Sequence, residues 1–274
     1  MRNGKATYIE TGAWSKKAIA EAKKYGEVTV GASSAGCGYA RIPDCSNLDI
    51  APDTDYVYIC ENETIHGVTW PKLPDTKGHV LVSDQSSMFL SKPCCVTDYG
   101  MIYAGVQKNV GPAGMVIVIM KEDLIPEEVD PKMPVYLKYA THADTNSGYN
   151  TPNCWSIYCC GLVIRNLLEH GGLEAIYQKN QEKAKIIYDF LDNSTLFRGK
   201  VDPEFRSLMN IPFTTGNPDT DADVVASAVR VGLSNLKGHP SVGGLLASVY
   251  NAMPSVGARA LVECLQRYEL THRG

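Results

Sequence analysis

YGMIYAGVQKNVGPAG, residues 99–114, decides how the chain is read. Met101, Ile102, Tyr103 and Ala104 make a short apolar run that stops at Gly105. Gln107, Lys108 and Asn109 follow, then a Gly-Pro-Ala-Gly turn, then a second apolar run, Met115–Met120. Strand-length apolar runs bounded by Gly and Pro predict two strands with a polar connection. Lys108 then sits at the mouth between two buried strands. Burial disfavours the ammonium, lowers its pKa and frees the amine to act as nucleophile or base. Read on this stretch alone, Lys108 is better taken as a solvated turn lysine, because most lysines are exposed.

Outward from this stretch, the chain has 274 residues, 44% hydrophobic and 20% charged, which suits a folded protein of one or two domains. A net charge of −4 gives no reason to expect nucleic acid or an anionic membrane as partner. The longest apolar run, Met115–Met120, is strand-sized and far short of a membrane span. MRNGKATYIETGAWS has no signal-peptide core and enters strand-like sequence abruptly for the start of a domain. The nine cysteines include two adjacent pairs, Cys94-Cys95 and Cys159-Cys160, but no spacing that suits zinc. They read as thiols of a reducing compartment, the cytoplasm or an organelle whose targeting segment lies outside this chain, and no metal is expected.

Strands are predicted at 6–10, 27–32, 55–60 and 80–83, with a helix over 14–24. With the two strands around Lys108 they describe an open α/β sheet, whose ligands sit at the carboxyl ends of its strands. Leu124–Asn150 reads as a long turn-rich loop, which in a compact domain is usually functional. Ile157, Cys160, Gly161, Ile164 and Leu168 repeat with helical spacing up to Gly171-Gly172, and a second helix carries Leu173, Ile176, Tyr177, Ala184, Ile187 and Leu191. The character changes near residue 195. Strands are expected at 209–214 and 236–238, and helices at 221–233, 243–252 and 256–268. The expected division is a large α/β unit over 1–170 and a small C-terminal α+β unit over 171–274.

Trp14, Thr64, Asp84, Gln107 and Lys108 all fall at strand ends of one sheet. A lysine and an aspartate facing one crevice suit pyridoxal phosphate: the lysine carries it covalently, and the aspartate keeps its pyridine nitrogen protonated. Each residue has a plainer reading. Asp84 could be a turn or N-cap aspartate, and Trp14 a core tryptophan. GHPSVGG at 238–244 lacks a P-loop ending and reads as a simple turn. His66 and His239 stand alone and read as structural. Tyr136, Tyr139 and Tyr149 read as packing residues.

TGAWSKKA (11–18), NETIHGV (62–68), VLVSDQSS (80–87), IYAGVQKNVGPAG (102–114), YNTP (149–152), MNIPF (209–213) and LKGH, SVGG and SVYNAMP within 236–254 carry a resemblance. In this order they resemble the phosphoserine aminotransferase family, fold-type I pyridoxal-phosphate enzymes of serine biosynthesis. The resemblance implies a mostly parallel central sheet and residue-by-residue roles. Lys108 would be the Schiff-base lysine, Asp84 the partner of the pyridine nitrogen and Trp14 the stacking ring. Thr64 would lie near the ring hydroxyl, and Gln107 would help hold the cofactor phosphate. Asn150 and Thr151 would reach the phosphate of a neighbouring subunit, so a homodimer is expected. His239 would bind substrate. The implied reaction passes an amino group from glutamate to 3-phosphohydroxypyruvate, giving O-phosphoserine and 2-oxoglutarate.

Two departures from the family pattern stand out. The family has a substantial portion before TGAWS, with a His-Arg pair and a glycine-rich phosphate loop, and residues 1–10 contain neither. Pro240 and Leu246 stand where the family has arginines, and neither can grip an anion as a guanidinium does. The alternatives are a catalytically impaired relic that keeps the fold, or a fragment of a longer gene product.

Overall fold

Lys5–Glu10 forms β1, in which four consecutive residues, Ala6 to Ile9, are buried, as a strand covered on both faces requires. The computed structural model describes residues 3–126 and 128–272. After β1 come α1 (Ala13–Ala22), β2 (Glu27–Ser33) and β3 (Tyr56–Cys60). A small hairpin of β4 (Asn62–Glu63) and β5 (Val68–Thr69) precedes β6 (Leu81–Asp84), β7 (Met101–Gly105) and β8 (Val116–Met120). The large sheet runs β2-β1-β3-β6-β7-β8, parallel throughout except for the antiparallel pair β7–β8. Its parallel strands bring Glu10, Cys60, Asp84 and Gly105 to one edge. Ile9, Val57, Ile59, Leu81, Ile102 and Ala104 fill the main core on one face. Ala6, Tyr8 and Tyr58 pack with Ile19 of α1 on the other.

β8 corrects one expectation. It is an edge strand, and Val116 and Val118 are 58% and 42% exposed, so Lys108 is not enclosed between two buried strands. An antiparallel edge can leave one face open, whereas an inner parallel strand cannot.

The long turn-rich segment over 124–150 also carries a short helix, α2 (Tyr139–Asp144). α3 (Cys154–Glu169) starts where Asn153 accepts a hydrogen bond from the Ser156 N–H. Only Ser156 and Cys160 of α3 are buried, so the apolar spacing through Ile157, Ile164 and Leu168 does not face a core in this chain. Gly171, at φ 94°, makes the left-handed turn into α4 (Gly172–Asn193). Ala184, Ile187 and Leu191 of α4 join the second core with Phe197, Ile211, Phe213 and Leu265.

That core lies against a three-stranded antiparallel sheet, ordered β11-β10-β9: β9 (Arg198–Gly199), β10 (Asn210–Thr214) and β11 (Leu245–Ser248). α5 (Pro218–Arg230) and α6 (Ser255–Thr271) cover it. α5 begins earlier than expected, because Asn217 caps it by accepting from the N–H groups of Asp219 and Thr220, with Pro218 at the first helical position. The helix expected over 243–252 is not there: residues 245–248 are β11. Leu245 and Ala247 alternate inward and pair with Phe213 and Ile211 of β10. Gly243 and Gly244, at φ 64° and 71°, block a helical entry. The strand expected at 236–238 is reduced to a single bridge, Lys237 to Leu245.

Candidate active site

Lys108 reaches the carboxyl edge through a tight turn. The Gly105 N–H donates to Ser86 Oγ at 3.0 Å, and Val110 and Gly111 N–H both donate to the Val106 carbonyl at 2.9 and 3.0 Å. A Cβ on Gly111 would stand 2.6 Å from Cys160 Sγ, so glycine lets this turn press against α3. The turn aims the Lys108 amine at two neighbours. Nζ donates to Thr64 Oγ1 at 3.0 Å and lies 5.3 Å from the centroid of the Trp14 ring. Burial lowers the pKa of Lys108, opposed by the negative charge of Asp84 and by Cys60 and Glu63.

Trp14 is not a core tryptophan: it is 37% exposed at the start of α1 and turns a flat face toward the amine. Asp84 ends β6, in register with Cys60 of β3 and Tyr103 of β7. One of its oxygens accepts from the Ser86 N–H at 2.8 Å, so it does serve as a turn aspartate while its charge acts on Lys108. Tyrosines line the sheet beneath it. Tyr58 and Tyr103 hydroxyls are 2.9 Å apart, Tyr8 and Tyr56 hydroxyls 2.8 Å, and the Tyr8 and Tyr58 rings stack at 4.5 Å. Burial and then Asp84 raise the Tyr103 hydroxyl, which keeps it neutral beside the carboxylate.

The fold therefore brings Lys108, Thr64, Trp14 and Asp84 together. Gln107 is exposed beside Lys108, and Asn150 and Thr151 are exposed on the run into α3. Among the described residues no hydrogen bond ties these three to Lys108, Thr64 or Trp14. His239 is exposed on the loop before β11, where its Nδ1 accepts from the Ser241 N–H at 3.2 Å. His66 is structural: its Nδ1 accepts from the Ala13 N–H at 3.3 Å, and the Tyr39 ring meets it edge-on at 4.6 Å. Burial, helped by the positive charges of Lys200 and His239, pulls His66 down to about 4. Two neighbours escaped the sequence reading. Lys200 is one, and its amine donates to the carbonyls of Val242 and Gly243 at 3.2 Å each. Glu63 is the other; its signal was an acid beside a strand end in NETIHGV.

A flat aromatic face, a half-buried amine, a hydroxyl bonded to that amine and a carboxylate whose charge acts on it meet near the carboxyl edge of the sheet. The sequence model of the class-V aminotransferases matches residues 2–260, and the chain belongs to that family. Its fold is fold-type I. Phosphoserine aminotransferase of Nitrosomonas europaea is 47% identical over 278 residues, covering 99% of this chain and 76% of that protein. The solved phosphoserine aminotransferase from Bacillus circulans subsp. alkalophilus superposes with a TM-score of 0.96 at 39% identity, covering 100% of this chain and 76% of that one. The pyridoxal-phosphate-bound phosphoserine aminotransferase from Trichomonas vaginalis gives 0.89 at 36% identity, covering 96% and 75%.

Proposed function

We propose that the chain is a pyridoxal-phosphate-dependent transaminase that passes the amino group of glutamate to 3-phosphohydroxypyruvate, giving O-phosphoserine and 2-oxoglutarate in serine biosynthesis. The observation that carries this reading is the Lys108 amine, depressed by burial, 3.0 Å from Thr64 Oγ1 and facing the Trp14 ring, in a chain 47% identical to a phosphoserine aminotransferase.

The donor set fits the cofactor. Trp14 would stack on its ring, Thr64 would bond near the ring hydroxyl, and Asp84 would face the pyridine nitrogen. Gln107 would help hold the phosphate, with Asn150 and Thr151 of a second copy. When bound, the cofactor supplies an electron-accepting ring. The chain's residues supply the rest. Lys108 would carry the cofactor covalently, and its amine would take the Cα proton from the amino donor and deliver a proton to the Cα of the amino acceptor. Burial favours the neutral, proton-accepting form of that amine. Asp84 would keep the pyridine nitrogen protonated through its negative charge. Trp14 would lie against one face of the ring.

His239 and the Lys200 amine, whose charges both act on His66, support an anionic substrate end nearby. Pro240 and Leu246 add no charge there, which favours a weaker grip on phosphate. The exposed apolar residues of α3, next to Asn150 and Thr151, support a homodimer with shared sites. The large unit over 1–170 and the small unit over 171–274 remain the division we propose. The nine cysteines are free, which supports a reducing compartment, and on that ground we place the chain in the cytoplasm. Among the described residues no helix is long and apolar enough to cross a membrane.

The test is phosphoserine formation by the purified chain from glutamate and 3-phosphohydroxypyruvate with added cofactor. Formation that disappears in Lys108→Ala supports the reading. Cofactor binding without turnover would replace it by the impaired relic that Pro240 and Leu246 favour.

A further inference from the structure

Glu63 is wholly buried, and among the described residues its carboxylate has no ion-pair partner. It is spent on the first turn of α1. Oε2 accepts the Trp14 N–H at 2.9 Å, and Oε1 accepts the Ser15 N–H at 2.8 Å and the Ser15 hydroxyl at 2.7 Å. Ser15 Oγ in turn accepts from the N–H groups of Thr11 and Gly12 at 2.9 and 3.0 Å. A helix N-terminus presents unpaired N–H groups and favours a negative charge, yet α1 has no acidic residue in its own first turn. Glu63 supplies that charge from another element. The fit is close: a Cβ on Gly12 would stand 2.5 Å from the Glu63 carboxyl carbon, so only glycine admits the carboxylate.

The next residue faces the other way. Thr64 Oγ1 accepts from Lys108 Nζ at 3.0 Å. One dipeptide therefore grips the backbone of Trp14 on one side and the amine of Lys108 on the other. We propose that Glu63 is a positioning residue of the site: with Thr64 it braces the Trp14 ring and the Lys108 amine at a fixed separation. This rests on the proposed function in taking Trp14 and Lys108 as cofactor residues.

Glutamine at position 63 is nearly isosteric, but it turns one acceptor into an N–H donor facing backbone donors, and it removes a negative charge. Burial raises the pKa of Glu63 and Asp84 repels it, while the Ser15 and Trp14 bonds favour the carboxylate. Asp84, Cys60 and Glu63 all support the Lys108 ammonium. Losing one of these charges lowers the Lys108 pKa further.

The experiment measures two things in Glu63→Gln, Glu63→Asp and the parent. The first is the pH midpoint of Lys108 acetylation by acetic anhydride in cofactor-free protein, read by peptide mass spectrometry. The second is pyridoxal-phosphate affinity. In Glu63→Gln the midpoint should fall by about half a unit or more, and affinity by about tenfold. Glu63→Asp keeps the charge but shortens the arm, so it should restore the midpoint and not the affinity. Parent midpoint and parent affinity in Glu63→Gln would overturn the proposal. If Glu63→Gln does not fold, Ser15→Ala takes its place; it removes one of the three donors and must weaken cofactor binding at least about threefold, and parent affinity there would overturn the brace. The acetylation midpoint needs no cofactor, so it reads the action of the Glu63 charge on Lys108 even if Lys108→Ala binds cofactor normally and the functional reading fails.

Discussion

His66 is a half-buried base that the fold keeps neutral. Its pKa lies at about 4, through burial first and then the nearby charges of Lys200 and His239. In the unfolded chain it should titrate near the ordinary value of about 6.5. Between these values the unfolded chain binds a proton that the folded chain refuses. The stability present above pH ~6.5 is therefore lost as pH falls towards ~4. Urea midpoints measured against pH should fall more steeply over that window in the parent than in His66→Asn, and parallel profiles would contradict the assignment. At this scale much of the site was legible. Asp84 ends β6 and Lys108 follows β7, and such strand ends are readable from where apolar runs stop, whereas Thr64 follows β4 of the small hairpin and Trp14 lies in the first turn of α1. Glu63 was not legible, because its partners are backbone N–H groups some fifty residues away and backbone groups leave no mark in a sequence.

The hairpin of β4 and β5 is held against the small sheet by a glycine. Gly67 has φ 69°, and a Cβ there would lie 2.2 Å from Pro212 Cδ and 2.7 Å from the Asn210 carbonyl. Strain in the left-handed region and a backbone clash add, so Gly67→Ala should destabilise by about 2–4 kcal/mol in urea unfolding. A loss below ~1 kcal/mol would mean that the contact is not made. α4 supplies a second test at this scale. Lys183 is buried, and its amine donates to the carbonyls of Tyr250 and Met253 at 2.7 and 3.2 Å, just ahead of α6. Burial depresses its pKa to about 8. Between there and the unfolded value of about 10.5 the unfolded chain holds the extra proton, so stability rises with pH across that window. The rise should be present in the parent and absent in Lys183→Met. The elements themselves were unequally legible. Strands β1, β3, β6 and β7 lie within a residue or two of their expected places, because inner parallel strands are continuous apolar runs. β11 was taken for a helix, because Leu245–Ser248 pairs with a strand more than thirty residues earlier and only that pairing fixes its period at two.

Asparagines tie the β4–β5 hairpin to the three-stranded sheet. Asn62 donates to Asn210 Oδ1 at 3.0 Å, and Asn210 donates on to Ser248 and Tyr250. The Asn251 N–H donates to Asn109 Oδ1 at 3.0 Å, so the residue beside Lys108 is tied to the small unit. The outer face of α3 is the contrasting feature. Trp155, Tyr158 and Leu168 are 68%, 62% and 71% exposed, with Ile157, Leu162 and Ile164 between them. A patch of this kind is rarely left uncovered on a monomer. Sedimentation velocity at micromolar concentration should find dimers or larger species, and a monodisperse monomer would contradict this. The helical period of α3 was legible, but the surface it addresses was not, since a sequence gives the spacing of apolar residues without what covers them.

Lys108 is the position we propose for covalent attachment of the cofactor. Incubation with pyridoxal phosphate, borohydride reduction and peptide mass spectrometry tests it directly. A pyridoxyl group is expected on Lys108, and its loss in Lys108→Ala. Label spread over the other lysines, or undiminished cofactor binding by Lys108→Ala, would contradict it.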